Sequence, residues 1–246
     1  MARSIYIASP NAGTGKSTVA LGLVSCLTKV VAKVGVFRPF VESREGDAFL
    51  SLLLNRAGST TPPEQCVGAT WDEFHADPEE ALARIVDAYR AMAREHDVVI
   101  IDGSDFTDVA GNPELALNAR VAANIGVPVL LVVSGQNDVE DVVASVEVSM
   151  AEIADNHART VAVVANKCLP ETRQAVGEAL TAIEGITSTT LPEVPLLAAP
   201  VVREVLDAVE GTLIAGDETL LDREAESVLV CAMDVSHVLE LSLIHI

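Results

Sequence analysis

Apolar residues in this chain recur in two spacings that alternate along it. DVVIID at 97–102, VPVLLVV at 127–133 and TVAVVAN at 160–166 are apolar without interruption. A strand of that kind is buried on both faces, as in a sheet covered by helices on two sides. Between these runs, 113–125 and 138–157 carry apolar residues at helical spacing, as do KSTVALGLVSCLTKVVAK at 16–33 and the segment 171–184. SIYIAS at 4–9 and VGVFRPF at 34–40 predict two more strands, the second stopped by Pro39. ADPEEALARIVDAYRAMAREH opens with Asp77 as N-cap, Pro78 at the first helical position and Glu80 completing a capping box, which predicts a helix to about His96. Strand and helix alternate, so the predicted fold is α/β, a doubly wound and mostly parallel sheet with ligands at the carboxyl ends of its strands.

LPEVPLLAAP at 191–200 holds three prolines in ten residues and predicts a domain junction. The first domain is then 1–190 and a second runs over 191–240. The second contains a helix (VVREVLDAVEG), a turn at Gly216 and Asp217, a strand (SVLVCAM, 227–233) and the start of a helix at His237. So few elements cannot close a core, and a truncated α/β domain is expected. The last six residues, LSLIHI at 241–246, back-translate to a transposon-end adapter used in some sequencing libraries and are expected to be an artefact; an ordinary apolar helix end is the alternative.

The densest local signal is SPNAGTGKST at 9–18. It lies between a predicted strand and a predicted helix, the setting of a phosphate loop, and makes the expected fold P-loop NTPase-like. Such a loop works because consecutive backbone N–H groups and a helix dipole meet the phosphates, a lysine reaches the β- and γ-phosphates and a hydroxyl holds Mg²⁺. The candidate nucleotide contacts are Asn11, Ala12, Gly13, Thr14, Gly15, Lys16, Ser17 and Thr18. Pro10 occupies the place of the consensus first glycine and removes one donor at the loop's entrance, away from the amides that begin at Gly13. A glycine-rich turn that only joins strand to helix is the competing reading.

Three strand ends add candidates. Asp102 closes VVIIDGSD and can hold Mg²⁺ opposite Ser17, or can simply form the turn before Gly103. Asn166, in VAVVANKC, can contact an adenine edge or cap the strand; Leu169 stands where a guanine-reading aspartate would be. Arg38, in FRPF, can fork onto a phosphate or carboxylate, or pair with Glu42 or Glu45.

Charge and composition narrow the partners. Thirty-six acidic and sixteen basic side chains give a formal charge of −20, which argues against nucleic acid and anionic membranes. An anionic ligand then needs a local device, and the phosphate loop is one. Cys26, Cys66, Cys168 and Cys231 form no C-x-x-C pair, so buried free thiols in a reducing cytoplasm are expected, with neither disulfide nor metal site. No Ser/His/Asp or Cys/His arrangement is visible, and no catalytic residue is predicted.

SIYIASPNAGTGKSTVALGL, VGVFRPF, DVVIIDG and VAVVANK resemble the dethiobiotin-synthetase-like P-loop domain at the N-terminus of the long bacterial phosphate acetyltransferases. The stretch from LPEVPLL to SHVLE resembles the DRTGG domain that follows it in that family. The resemblance implies a cytoplasmic homo-oligomer of acetate metabolism that interconverts acetyl-CoA plus phosphate with acetyl phosphate plus CoA. It places acetyl transfer in a further C-terminal domain, and gives this part a regulatory role with ATP, Mg²⁺ or a small-metabolite effector. Dethiobiotin synthetases keep a lysine where this chain has Arg38 before Pro39, and a glutamate where it has Asp102. Some acetyltransferase relatives lack the loop lysine that Lys16 preserves here. A free-standing ATP-dependent ligase and a structural domain with a vestigial loop are the alternatives.

Overall fold

The structure is a computed structural model that describes residues 3–104, 114–197 and 199–225. In chain order the elements are β1 (Arg3–Ala8), α1 (Lys16–Leu27), β2 (Val34–Val41), α2 (Ala48–Ala57), β3 (Val67–Thr70), α3 (Trp71–Ala76) and α4 (Pro78–Glu95). They continue as β4 (Val98–Asp102), α5 (Glu114–Ile125), β5 (Val129–Ser134), α6 (Val139–Asp155), β6 (Thr160–Cys168), α7 (Arg173–Thr181), β7 (Thr187–Pro192) and α8 (Val202–Ala208).

The seven strands form one sheet in the order β3-β2-β4-β1-β5-β6-β7, parallel at every pairing. Val99, Ile100 and Ile101 on β4, and Leu131, Val132 and Val133 on β5, are all fully buried. Consecutive strand residues point to opposite faces, so both faces of the sheet are covered. Each such side chain adds roughly 1.5–3 kcal/mol by leaving water. This is the doubly wound α/β sheet that the uninterrupted apolar runs predict. It is wholly parallel: from β1 the chain runs outward through β2 to β3, crosses back to β4, and then runs out on the other side through β5, β6 and β7.

Several local expectations change. β2 runs through Pro39 to Val41, because its ladder with β4 ends at Phe37 and the next pairs, Arg38 with Val67 and Phe40 with Ala69, belong to β3. Asp77 does cap α4, accepting from the amides of Glu79 and Glu80 at 3.1 and 3.0 Å. The Glu80 carboxylate, however, takes the Arg84 guanidinium 2.5 Å away and completes no box. The capping box is at α3, where Thr70 and Glu73 bond reciprocally. Cys66 and Cys168 are buried, whereas Cys26 is exposed on α1, against expectation; Cys231 lies outside the described residues. Burial, with the Glu64 carboxylate adding to it, pushes the Cys66 thiol up to about 11. Burial raises Cys168 as well.

By packing, the chain divides into Met1–Glu193 and Val194–Ile246. In the second unit the described residues hold α8, a 3₁₀ turn at Glu218–Asp222, an antiparallel bridge between Val201 and Glu224, and an Arg203–Asp222 ion pair at 2.8 Å. The strand expected at 227–233, the helix from His237 and the terminal segment 241–246 lie outside the described residues.

Candidate functional site: the loop between β1 and α1

β1 delivers the chain to the carboxyl edge of the sheet at Ala8, and α1 starts at Lys16. The loop between them turns on Gly13 and Gly15, at φ 77° and 80°, a left-handed conformation that favours glycine. At Gly15 space is also denied: a Cβ there would lie 2.3 Å from the Asn166 side-chain nitrogen. Gly15 is the N-cap of α1, with no side-chain cap and no acidic residue in the first turn. Among the described residues the amides of Gly15, Ser17 and Thr18 have no protein acceptor. Those donors stand together at the positive end of the helix dipole, the arrangement that receives an oxyanion.

Lys16 does not point into that opening. It is buried, and its Nζ donates to Asp102 Oδ1 and to the Gly103 carbonyl, each at 2.6 Å. Asp102, fully buried, stands in register with Ile7 because β4 lies beside β1 in the sheet. Its other oxygen is 3.3 Å from Arg38 Nε, at the end of the neighbouring strand β2. Arg38 Nη1 in turn bonds Asp47, whose second oxygen caps α2 through the Leu50 amide at 2.8 Å. A chain of alternating charges thus runs from the loop lysine to the start of α2. Low dielectric strengthens each contact, and loss of any one member leaves its neighbours a counter-charge short.

On the other side the loop is clasped by the end of β6. Asn166 Nδ2 donates to the Thr14 carbonyl, and Lys167 Nζ to the Gly13 carbonyl, both at 2.8 Å. Lys167 adopts φ 59°, uncommon for a side-chain-bearing residue, which turns its stem back over the loop.

The residues singled out in the sequence therefore gather at one sheet edge. Asn11, Ala12, Gly13 and Thr18 are exposed, Gly15 and Ser17 are half-buried, and Thr14 is buried with its Oγ1 lacking a hydrogen-bond partner. The Asn166 amide nitrogen is already engaged by the loop. Arg38 shares a cavity of about 310 Å³ with Glu42 and Glu45 but pairs with Asp47 and Asp102. Asp47 and Lys167 were missed. The signal for Lys167 was its place after Asn166 at a strand end; that for Asp47 was a turn aspartate before the apolar AFLSLLL.

These residues fit a magnesium nucleotide on two counts. The uncapped amides and the orphan Thr14 hydroxyl suit phosphate oxygens, and the fully buried Asp102 Oδ2 accepts no hydrogen bond, its near cation being Arg38 Nε at 3.3 Å. Ser17 and Asp102 are the groups that would hold Mg²⁺. Among the described residues no cluster of His, Cys, Asp and Glu could bind a metal by itself, and no helix is long and apolar enough to cross a membrane.

Comparison with known proteins supplies the kinship. The AAA domain family model matches residues 3–206. Phosphate acetyltransferase from Synechocystis sp. is 24% identical over 97% of this chain and 36% of its own length. The enzyme of the same name from Nitratidesulfovibrio vulgaris is 24% identical over 98% of this chain, again 36% of its length. The chain thus spans about a third of these curated relatives. Among solved structures, a putative plasmid partition protein from Borrelia burgdorferi bound to AMPPNP aligns over 100% of both chains with TM-score 0.56 and 14% identity, a likeness of fold.

Proposed function

The chain belongs to the AAA domain family, and from that premise we propose that it is a magnesium-nucleotide-binding regulatory module of a phosphate acetyltransferase. Acetyl transfer between CoA and phosphate is the activity it would control and not one it performs. Likeness to phosphate acetyltransferases along nearly the whole chain supports the parent activity. The observation that carries nucleotide binding is the start of α1, where the amides of Gly15, Ser17 and Thr18 have no protein acceptor among the described residues and the buried Thr14 hydroxyl has no hydrogen-bond partner.

In this reading the amides from Gly13 to Thr18 would receive the β- and γ-phosphates of ATP, and Ser17 and Asp102 would hold Mg²⁺, which would offset phosphate charge. Lys16 exchanges Asp102 for phosphate oxygens, and Arg38 stays on Asp102 as counter-ion. Arg38 then acts on the nucleotide through Asp102, and Asn166 acts by fixing the Thr14 carbonyl. The buried Lys16–Asp102 contact also favours a second reading, in which the lysine is a structural counter-ion and the loop a vestige.

Ligand linkage separates the two. With Mg-ATP at a hundred times its Kd, stability rises by about 2.7 kcal/mol. For a chain of this size that is a thermal midpoint roughly 5–10 °C higher. Mg-AMP, lacking the β- and γ-phosphates, is expected to leave the midpoint unchanged. An unmoved midpoint with millimolar Mg-ATP favours the structural reading.

A further inference from the structure

We propose that the opposite end of the sheet carries a second ligand site, a cavity for a small organic di- or trianion gripped by Arg3, Arg90 and Arg94. The cavity lies at the amino ends of β1, β4 and β5, about the length of a strand, ~20 Å, from the phosphate loop. Its volume is about 930 Å³, and Arg3, Arg90, Arg94 and His96 line it with Asp97 as the one lining carboxylate among the described residues. Asp97 Oδ2 accepts from the Lys33 amide at 3.2 Å.

Charge makes the cluster notable. The protein carries 20 more acidic than basic side chains. Like Arg56, Arg120, Arg159, Arg173 and Arg223, Arg3, Arg90 and Arg94 form no ion pair among the described residues; what sets these three apart is that they line one cavity. Guanidinium groups gathered around one opening repel each other, so an anion there removes an unfavourable term as well as adding bonds. Arg90 and Arg94 stand one turn apart on the same face of α4, and Arg3, at the start of β1, lines the same cavity. The helix dipole accounts for Arg94, which is in the last turn of α4. It accounts neither for Arg3 on a strand nor for Arg90, more than a turn from the helix end. Acidic neighbours exist outside the cavity: Asp87 shares a smaller depression with Arg90, and Glu95 another with Arg94.

The lining selects the ligand. Guanidinium forks match carboxylate and phosphate oxygens two at a time, so several forks call for more than one anionic group. The buried Tyr89 and Val127, with half-buried Ile125, give the cavity an apolar side. The Tyr89 hydroxyl is tied to Ser4 Oγ at 2.9 Å, which fixes its ring. A concave space of this size takes a small molecule with a carbon skeleton.

Calorimetric titration of the full chain with citrate and, separately, 3-phosphoglycerate tests the site at constant ionic strength. Saturable one-to-one binding of either is expected; binding of citrate shows that carboxylates suffice, and binding of 3-phosphoglycerate alone shows that the phosphate is needed. Arg90→Ser/Arg94→Ser should weaken it by at least ~10-fold, as loss of charged hydrogen bonds implies. Both arginines are exposed, so the variant should unfold cooperatively like the parent, which circular dichroism checks. Lys16→Met, once circular dichroism has shown that it unfolds cooperatively like the parent, should bind the probe unchanged, so this site and the nucleotide site fail separately. The proposal is overturned if neither probe binds at millimolar concentration, if the double arginine variant binds as the parent does, or if Lys16→Met abolishes the heat.

Discussion

Asp102→Ala is expected to lower the unfolding free energy by about 3–5 kcal/mol, the range for removing one partner of a buried ion pair. The substitution leaves the Lys16 ammonium, 2% exposed, against the Gly103 carbonyl without its carboxylate. It also takes the second anion from Arg38. A loss of that size is a large part of a typical domain's stability of roughly 5–15 kcal/mol, so the denaturant midpoint should fall far while the slope holds. The companion variant Lys16→Met/Asp102→Leu removes both charges and keeps the volume. It should recover most of the loss, since apolar replacement of a whole buried pair is often neutral. Recovery would show that the cost lies in the charge that Asp102 no longer balances. If the double variant is as unstable as Asp102→Ala, the pair is worth more than its charges and the alternating chain to Asp47 is the true unit.

Gly15→Ala should cost about 2–4 kcal/mol, from two causes that act together. One is the left-handed backbone at φ 80°. The other is the 2.3 Å approach of the new Cβ to the Asn166 amide nitrogen, which must then let go of the Thr14 carbonyl. With that clasp open, the loop amides lose their common direction. Gly13→Ala is the comparison, since a Cβ there meets nothing within 4 Å and only the φ of 77° is strained. Its cost should stay near 1 kcal/mol, the bare conformational penalty. Equal losses in urea unfolding would mean that Asn166 holds nothing in place.

Much of this arrangement was legible because burial on two faces leaves a strong mark. β1, β2, β4, β5 and β6 all show it as apolar runs, and the loop announces itself in GTGKST. The edge strands did not. β7 is TSTTLP and mostly exposed, and β3 is only VGAT, four residues long. An edge strand buries less and needs no apolar run. α2 was readable, with Asp47 as its N-cap and Gly58 in the left-handed conformation at its end, but its short AFLSLLLNRA went unread. Within the site, the residues were found and their connections were not. Lys16 meets Asp102 across 86 positions, because β4 inserts between β2 and β1. Arg38 reaches Asp102 and Asp47 in place of Glu42 or Glu45 for the same reason: strand order decides which side chains share an edge.

In the proposed function the amides at the start of α1, with Lys16 released from Asp102, hold a magnesium triphosphate. Isothermal titration of the purified chain with Mg-ATP tests it most directly, with Lys16→Met titrated beside it once its cooperative unfolding has been checked. Saturable one-to-one heat is expected for the parent, with affinity falling at least ~30-fold in the variant, the loss of about 2 kcal/mol that one charge-assisted contact supplies. No heat from the parent at millimolar Mg-ATP, or the same affinity in both proteins, would contradict the claim.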